Sequence, residues 1–227
     1  YGYCQKRYRL RCIRRYRRSP GRSCAYLGNI RQIHKASVRS TLANYLDIPT
    51  DCNQRDERFG WTGDAQVFAR TASINYRTNK FFKKWLGDLA ADQKESGAVP
   101  HIIPDVGWED AGSAAWADAA VVVPYWVWRT YGDTQIIRDQ FESMKKWILF
   151  MESKGSERGL NDLHDHHFGD WLSLDAGDEA TGGFTDDDLI ATAMYAYTTS
   201  LLIKMGKAIG KDVSYYEEMY PVIVEQY

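Results

Sequence analysis

The sequence lacks any apolar run long enough to cross a membrane. A transmembrane helix needs about 20 predominantly apolar residues, whereas the longest run here covers only residues 119–123 before Pro124 interrupts it. The basic N-terminal segment also lacks the apolar core of a secretory signal peptide. These absences exclude a membrane-spanning protein, and they predict a soluble, cytoplasmic protein that has no membrane partner.

Cysteine is scarce, with four in the chain: Cys4, Cys12, Cys24 and Cys52. Their spacings match no zinc signature and include no Cys-x-x-Cys pair. Four cysteines in 227 residues are also too few for a disulfide framework. The cysteine pattern therefore predicts a reducing compartment, and it indicates neither a metal nor any other cofactor.

Acidic residues are absent from residues 1–22, which hold eight Arg and one Lys. Of the 29 basic residues, 20 remain beyond this segment, against all 30 acidic ones, so the rest of the chain is about ten charges negative. A negative surface disfavours polyphosphate partners and suits a neutral substrate such as a sugar. Residues 1–27 could be a nucleic-acid-binding arm. No nucleic-acid motif follows in residues 28–227, which favours an irregular or non-native leader instead.

Apolar residues recur at helical spacing from Asn29 onward. The clearest stripe steps by four, three, four and three residues through Ile137, Phe141, Met144, Ile148 and Met151. Periodicity of this kind predicts about seven helices: one ending near Asn44, then 64–77, 79–93, 116–131, 134–152, one from about residue 186, and one from Ser214. No segment alternates like a strand. The sequence therefore predicts an all-α protein with long polar loops at 45–63, 95–114 and 153–186, and loops of this length usually carry function.

The densest group of functional side chains lies in the 14 residues from Asp51 to Asp64. If the chain is extended, Asp51, Arg55 and Glu57 point to one side. If it then turns helical, Glu57, Trp61 and Asp64 share a face. Converging carboxylates beside an indole raise one another's pKa, which keeps an acid protonated for proton transfer to a leaving-group oxygen. The alternative interpretation is a solvated loop whose arginines pair with its acids.

This segment resembles the signature of the α-L-rhamnosidases of glycoside hydrolase family 78. The resemblance extends over residues 28–227 and includes 68–72, 82–93, 99–100, 115–120, 131–133 and 168–172. It implies an (α/α)6 barrel and hydrolysis of a terminal α-L-rhamnosyl bond with inversion. It also implies a rhamnose-containing glycoside as substrate and no cofactor.

The resemblance assigns roles to seven residues. Glu57 matches the general acid, while Asp51, Arg55 and Asp64 match residues that hold the rhamnose hydroxyls. The aromatic wall of the subsite matches Trp61, Trp116 and Trp171. Side-chain chemistry agrees, because a deoxy sugar packs its C–H faces on indoles, and its hydroxyls need carboxylate acceptors and a guanidinium fork. Asn53 stands where the family usually has Pro, which alters loop stiffness.

The larger departure from the family concerns what the chain does not contain. Inversion needs a second carboxylate that acts as base on water, and the resemblance implies a Glu beyond Tyr227. A barrel of six helical hairpins also needs more helices than are predicted here. We therefore expect the N-terminal portion of a catalytic domain, which could self-associate through its incomplete barrel. A rhamnoside-binding remnant without catalysis and a nucleic-acid-binding protein that uses the leader are the alternatives.

Two further polar clusters have competing interpretations. Residues 186–188, three consecutive Asp, fit a helix start stabilised by the helix dipole better than a metal site, and Thr185 with Asp188 resembles a capping box. The loop before Gly169 contains five potential metal ligands, namely Asp162, His164, Asp165, His166 and His167. They include no His pair at helical i, i+4 spacing. A solvated loop is therefore favoured, and the sequence predicts no metal site.

Overall fold

The computed structural model describes residues 24–108, 111–155, 168–174 and 182–226, with the backbone alone for residues 24–27. Over these residues the chain forms seven α-helices: α1 (Cys24–Asn44), α2 (Thr62–Asn75), α3 (Asn79–Asp92), α4 (Ala119–Tyr131), α5 (Gln135–Ser153), α6 (Asp187–Ala208) and α7 (Ser214–Gln226). The described residues form isolated bridges but no strand. The predicted all-α class is confirmed.

Helix α4 lies at the centre of the fold and contacts α2, α3, α5 and α6. Its first half, residues 119–124, is buried throughout, and so is Val127. A helix that is apolar nearly all round gains stability only when other elements cover every side. The composition of α4 therefore explains its central position.

Helix α5 packs on α4 through the stripe that the sequence predicted. Ile137, Met144 and Ile148 are fully buried, and Trp147 fills the same core. Burying an apolar side chain of this size contributes roughly 1.5–3 kcal/mol. The polar residues of α5 lie mostly on the opposite, exposed side, as expected for an amphipathic helix.

Helix α6 begins at an acidic cap. The Oδ1 atom of Asp186 accepts hydrogen bonds from the backbone N–H groups of Asp188 at 2.9 Å and Leu189 at 3.2 Å. The helix-start interpretation of residues 186–188 is therefore confirmed. The capping box centred on Thr185 is wrong, because Asp186 supplies the cap and the Thr185 hydroxyl lies 3.4 Å from Asp170 Oδ2.

Several sequence predictions fall outside the described residues. These are the His and Asp cluster over residues 162–167, and residues 1–23 of the basic leader predicted over residues 1–27. Residues 24–27 of that leader form the start of α1 instead of the predicted irregular structure. None of the described helices combines the length and the apolar composition that a bilayer crossing requires.

Two loops are fastened together at the start of α2. The backbone N–H of Thr62 and its hydroxyl both donate to the carbonyl of His101, at 2.9 and 3.0 Å. The N–H of Ile103 donates to the carbonyl of Gly60 at 2.9 Å. Gly60 approaches Ile103 so closely that a Cβ would collide with its carbonyl oxygen. These bonds hold the segment before α2 in a fixed position against the loop that follows α3.

Candidate functional site

Glu57 and Trp61 form the first contact of the predicted site. The chain between them is not helical, because α2 begins only at Thr62, so the helical face through Glu57 does not exist. The Trp61 indole nevertheless donates a hydrogen bond from Nε1 to Glu57 Oε1 at 2.8 Å. The Arg55 guanidinium forms an ion pair with Glu57 Oε2. Both oxygens of this partly exposed carboxylate are therefore held, and Arg55 does pair with an acid, as the solvated-loop interpretation expected.

Asp51, Cys52 and Glu57 lie close enough together to hold a cation. One ligand atom from each lies within 4.8 Å of the others. However, Arg55 already supplies positive charge to Glu57. The hydrogen bond with Asp51 raises the pKa of the Cys52 thiol most, and burial raises it to a smaller extent. The thiol therefore stays protonated and is a poor metal ligand. The chemistry of this group suits a hydrogen-bonding ligand better than a metal.

A cavity of about 530 Å³ opens between α1 and α2 beside this group. Its volume lies in the usual range for small-molecule sites. Four of the seven predicted site residues line it, namely Asp51, Asp64, Trp116 and Trp171. The lining also includes three residues that sequence reasoning missed: Asn44 at the end of α1, Tyr45 just after it, and Gln66 on α2. Arg55, Glu57 and Trp61 are not part of the lining, but Glu57 lies beside Asp51.

Asp64 lies in the first turn of α2. The predicted influence of neighbouring carboxylates on one another's pKa is found at this residue. Burial raises the pKa of Asp64, and the negative charges of Asp51 and Glu57 raise it further. A hydrogen bond from the backbone N–H of Asp64 itself acts in the opposite direction and lowers this pKa. A carboxylate in these surroundings gains from a neutral ligand that donates hydrogen bonds to it.

Unpartnered polar atoms concentrate at the cavity. Four of its lining residues carry a buried side-chain oxygen without a hydrogen-bond partner: Asn44 Oδ1, the Tyr45 hydroxyl, Asp51 Oδ1 and Gln66 Oε1. A buried polar group left unsatisfied costs roughly 1–3 kcal/mol, so each such group in a native structure needs an explanation. A polar ligand with several hydroxyl groups would explain their concentration here.

Phe168 joins the predicted indoles into one aromatic network. Its ring centroid lies 5.8 Å from that of Trp61, 4.7 Å from that of Trp116 and 5.6 Å from that of Trp171. The buried His101 packs on the same ring at 4.9 Å. Phe168 lies in a polar loop without periodicity, so no helical pattern could have identified it as the connecting residue.

Trp116 is held in place from the core side. The preceding residue, Ala115, has φ 65°. Its N–H donates to Asp118 Oδ2 at 2.6 Å, and its carbonyl accepts from the Gln66 amide. Asp118 is fully buried and also accepts from Trp147 Nε1 at 2.8 Å. Burial raises the pKa of Asp118 to about 6, although the hydrogen bonds it accepts favour its ionised form.

Comparison with known proteins identifies relatives over most of the chain. Residues 28–227 match the family model described as the bacterial alpha-L-rhamnosidase 6 hairpin glycosidase domain. An α-L-rhamnosidase of Formosa agariphila is 32% identical over 200 residues, which cover 87% of this chain and 21% of the relative. The chain spans about a fifth of the length of the curated relatives that it matches.

Solved structures show the same similarity. The α-L-rhamnosidase of Streptomyces avermitilis, solved in complex with L-rhamnose, matches with a TM-score of 0.73 at 35% identity, over 84% of this chain and 18% of that one. The native enzyme from Aspergillus terreus matches with a TM-score of 0.80 at 29% identity, over 96% of this chain and 24% of that one. The predicted six-hairpin fold class is therefore confirmed.

Proposed function

The chain belongs to the bacterial α-L-rhamnosidase 6-hairpin glycosidase family, and from this premise we propose that it binds a terminal α-L-rhamnosyl residue and supplies the acid for its hydrolysis. The observation that carries the proposal is the cavity in which Asp51, Asp64, Trp116 and Trp171 meet. Indoles suit the methyl group and C–H faces of a deoxy sugar, while carboxylates accept hydrogen bonds from its hydroxyls. The L-rhamnose bound to the Streptomyces avermitilis relative supports the same ligand.

We assign the role of general acid to Glu57. Its carboxylate lies next to Asp51 at the cavity and is oriented by the Trp61 N–H and the Arg55 guanidinium. In the proposed reaction, protonated Glu57 transfers its proton to the glycosidic oxygen as the bond to the anomeric carbon breaks. The negative charges of Asp51 and Asp64 then stabilise the positive charge that develops on the sugar ring.

We further propose that hydrolysis inverts the anomeric carbon. Inversion needs a second carboxylate, about 6.5–9.5 Å from the acid, that activates water on the opposite face of the sugar. We place this base outside the 227 residues, in keeping with the far greater length of the relatives. Asp64 and Asp170 are the carboxylates of this chain that could otherwise take the role.

Titration with L-rhamnose tests the binding site. Because indoles line the cavity, we expect rhamnose to quench tryptophan fluorescence in the 227-residue chain. Asp51→Ala and Trp116→Ala, which change two residues of the lining, should each abolish the change. Glu218→Ala, which removes an exposed carboxylate on α7, should leave it unaltered. Quenching that survives both site substitutions would place the binding site elsewhere.

Hydrolysis of 4-nitrophenyl α-L-rhamnoside tests the catalytic roles. We expect poor turnover by the 227-residue chain, because base assistance alone is worth about 10²–10⁴-fold. A protein of the relatives' length that contains this chain should be active, and Glu57→Gln in that protein should remove the activity. NMR of the first product should show β-L-rhamnose. Efficient turnover by the 227-residue chain would instead point to Asp64 or Asp170 as the base.

A further inference from the structure

We propose that Trp108, together with Phe59 and Trp61, forms an aromatic subsite for the leaving group, and that this subsite favours rhamnosides of planar aromatic alcohols. The inference rests on the proposed function, because it takes Glu57 as the acid that protonates the leaving group. It adds a preference for one class of leaving group. Neither the family match nor the cavity around Asp51 specifies the leaving group.

The three rings form a small cluster of their own. The Trp108 centroid lies 5.6 Å from that of Trp61, with an interplanar angle of 63°, and 6.1 Å from that of Phe59, with an angle of 79°. Both are edge contacts, which fix an aromatic ring without stacking in parallel on it. Trp108 remains 46% exposed. A fixed and half-exposed indole is suited to stacking against a planar ring from solution.

The turn that presents Trp108 is anchored in the structure. Asp105 Oδ1 accepts from the N–H of Gly107 at 2.9 Å, and Gly107 has φ 82°, a conformation that favours glycine. Lys94 Nζ binds Asp105 Oδ2 at 2.5 Å, and Asp92 Oδ2 accepts from the N–H of Asp105 at 2.8 Å. The exposure of Trp108 therefore results from a turn that α3 and its following loop hold in place.

The position of Trp108 relative to Glu57 points to the leaving group rather than to the sugar. Trp108 does not line the cavity that contains Asp51 and Asp64. It contacts Trp61, whose Nε1 is bonded to Glu57. A general acid delivers its proton to the leaving-group oxygen, so the leaving group must lie beside Glu57 and outside the sugar cavity. Among the described residues, Trp108 is a half-exposed ring that contacts Trp61 on that side.

Calorimetric titration of the 227-residue chain with three compounds tests the subsite: methyl, cyclohexyl and phenyl α-L-rhamnoside. Aromatic pairing predicts a phenyl compound that binds roughly 3- to 10-fold more tightly than the methyl compound. It should also bind more tightly than the cyclohexyl compound, which has similar size but is not planar. Trp108→Ala should reduce phenyl binding to the cyclohexyl level and leave methyl binding unchanged, whereas Trp108→Phe should keep part of the preference.

Leu149→Ala serves as the matched control, because this residue of α5 is 43% exposed and does not line the cavity. It should leave all three affinities unchanged. A phenyl preference that persists in Trp108→Ala overturns the subsite and leaves the proposed function intact. Absence of binding by every rhamnoside overturns both. Thermal melting checks that the variants are folded. If Trp108→Ala is unfolded, Trp108→Phe is compared with Trp108→Leu instead. An equal preference of these two variants for the phenyl compound would contradict stacking.

Discussion

The ring and the hydroxyl of Tyr45 have opposite effects on stability. The ring stacks on Phe81 at 4.7 Å and meets the edge of Phe68 at 6.0 Å. The hydroxyl is buried without a hydrogen-bond partner. Burial and the nearby charge of Asp64 raise the pKa of Tyr45 above its usual range, so the group is a neutral donor at physiological pH. Tyr45 therefore packs well but keeps an unused donor beside the cavity.

Removing that hydroxyl should stabilise the protein. We expect Tyr45→Phe to raise the free energy of unfolding by about 1 kcal/mol, because it removes an unsatisfied group and keeps the ring. Tyr131→Phe is the matched comparison, since the Tyr131 hydroxyl accepts from the N–H of Thr78 at 3.0 Å and donates to the carbonyl of Ser73 at 2.9 Å. That variant should lose about 1–3 kcal/mol. Urea denaturation measures both, and changes of the same sign would contradict this account.

Site residues that lie close together along the chain could be predicted from the sequence, whereas distant ones could not. Asp51, Glu57 and Trp61 belong to one short segment, so their chemistry was visible before any fold was known. Tyr45 reaches the same site from the loop just after α1, and Phe168 from a loop more than 100 residues later. Only tertiary contacts bring them together, such as the hydrogen bond of 3.3 Å that the Phe168 N–H donates to Ser113 Oγ, and no local sequence pattern indicates such contacts.

At the scale of elements, the helices with strong periodicity were predicted well. Helix α5 begins at Gln135 and ends at Ser153, within one residue of the prediction. Helix α4 begins at Ala119, three residues later than predicted, because the Asp118 side chain binds the N–H of Ala115 and closes a turn before the helix. This side-chain hydrogen bond joins residues only three apart. However, the orientation of the Asp118 carboxylate also depends on the hydrogen bond from Trp147 on α5, which lies far away in the sequence.

The contact between α2 and Trp116 gives a prediction about packing. A Cβ on Gly63 would lie 2.6 Å from Trp116 Nε1 and 2.8 Å from Cδ1. We expect Gly63→Ala to lower the free energy of unfolding by about 1–3 kcal/mol, because overpacking displaces the indole, and to weaken rhamnose binding. Gly87→Ala in α3 is the control, because nothing lies within 4 Å of its Cβ, and it should stabilise by about 0.5–1 kcal/mol. Equal effects in chemical denaturation would count against the close packing.

Asp118 links α4 to α5 and predicts a pH dependence of stability. Its folded pKa of about 6 lies above its usual value near 3.8, so the stability it contributes is full below about pH 4 and is lost as the pH rises through 6. This loss is on the order of 3 kcal/mol. Asp118→Asn cannot titrate. The free energy of unfolding of the unmodified chain minus that of the variant should therefore fall between pH 4 and pH 7, whereas a constant difference would rule out the raised pKa.

At the scale of the molecule, large apolar side chains remain exposed on and beside α1 and α2. Ile33 is 70% exposed, Val67 79% and Ile74 61%, and Leu46 just after α1 is 81% exposed. Scattered exposed apolar residues are normal on a protein surface. Several on two neighbouring elements make an apolar surface that another protein surface can cover, and burial of such surface gains roughly 25 cal/mol per Å².

We therefore expect the 227-residue chain to self-associate, with a sedimentation coefficient that rises with protein concentration. Association driven by apolar burial should persist at high salt, where surface ion pairs are screened. Ile33→Glu should weaken it by roughly tenfold or more, because burial of one such side chain is worth about 1.5–3 kcal/mol. Asn29→Glu adds the same charge to an exposed polar position of α1 and should have a much smaller effect. A compact monomer that melts cooperatively at every concentration would show that the exposed surface of α1 and α2 needs no partner. Equal effects of the two substitutions would mean that charge rather than apolar area controls association.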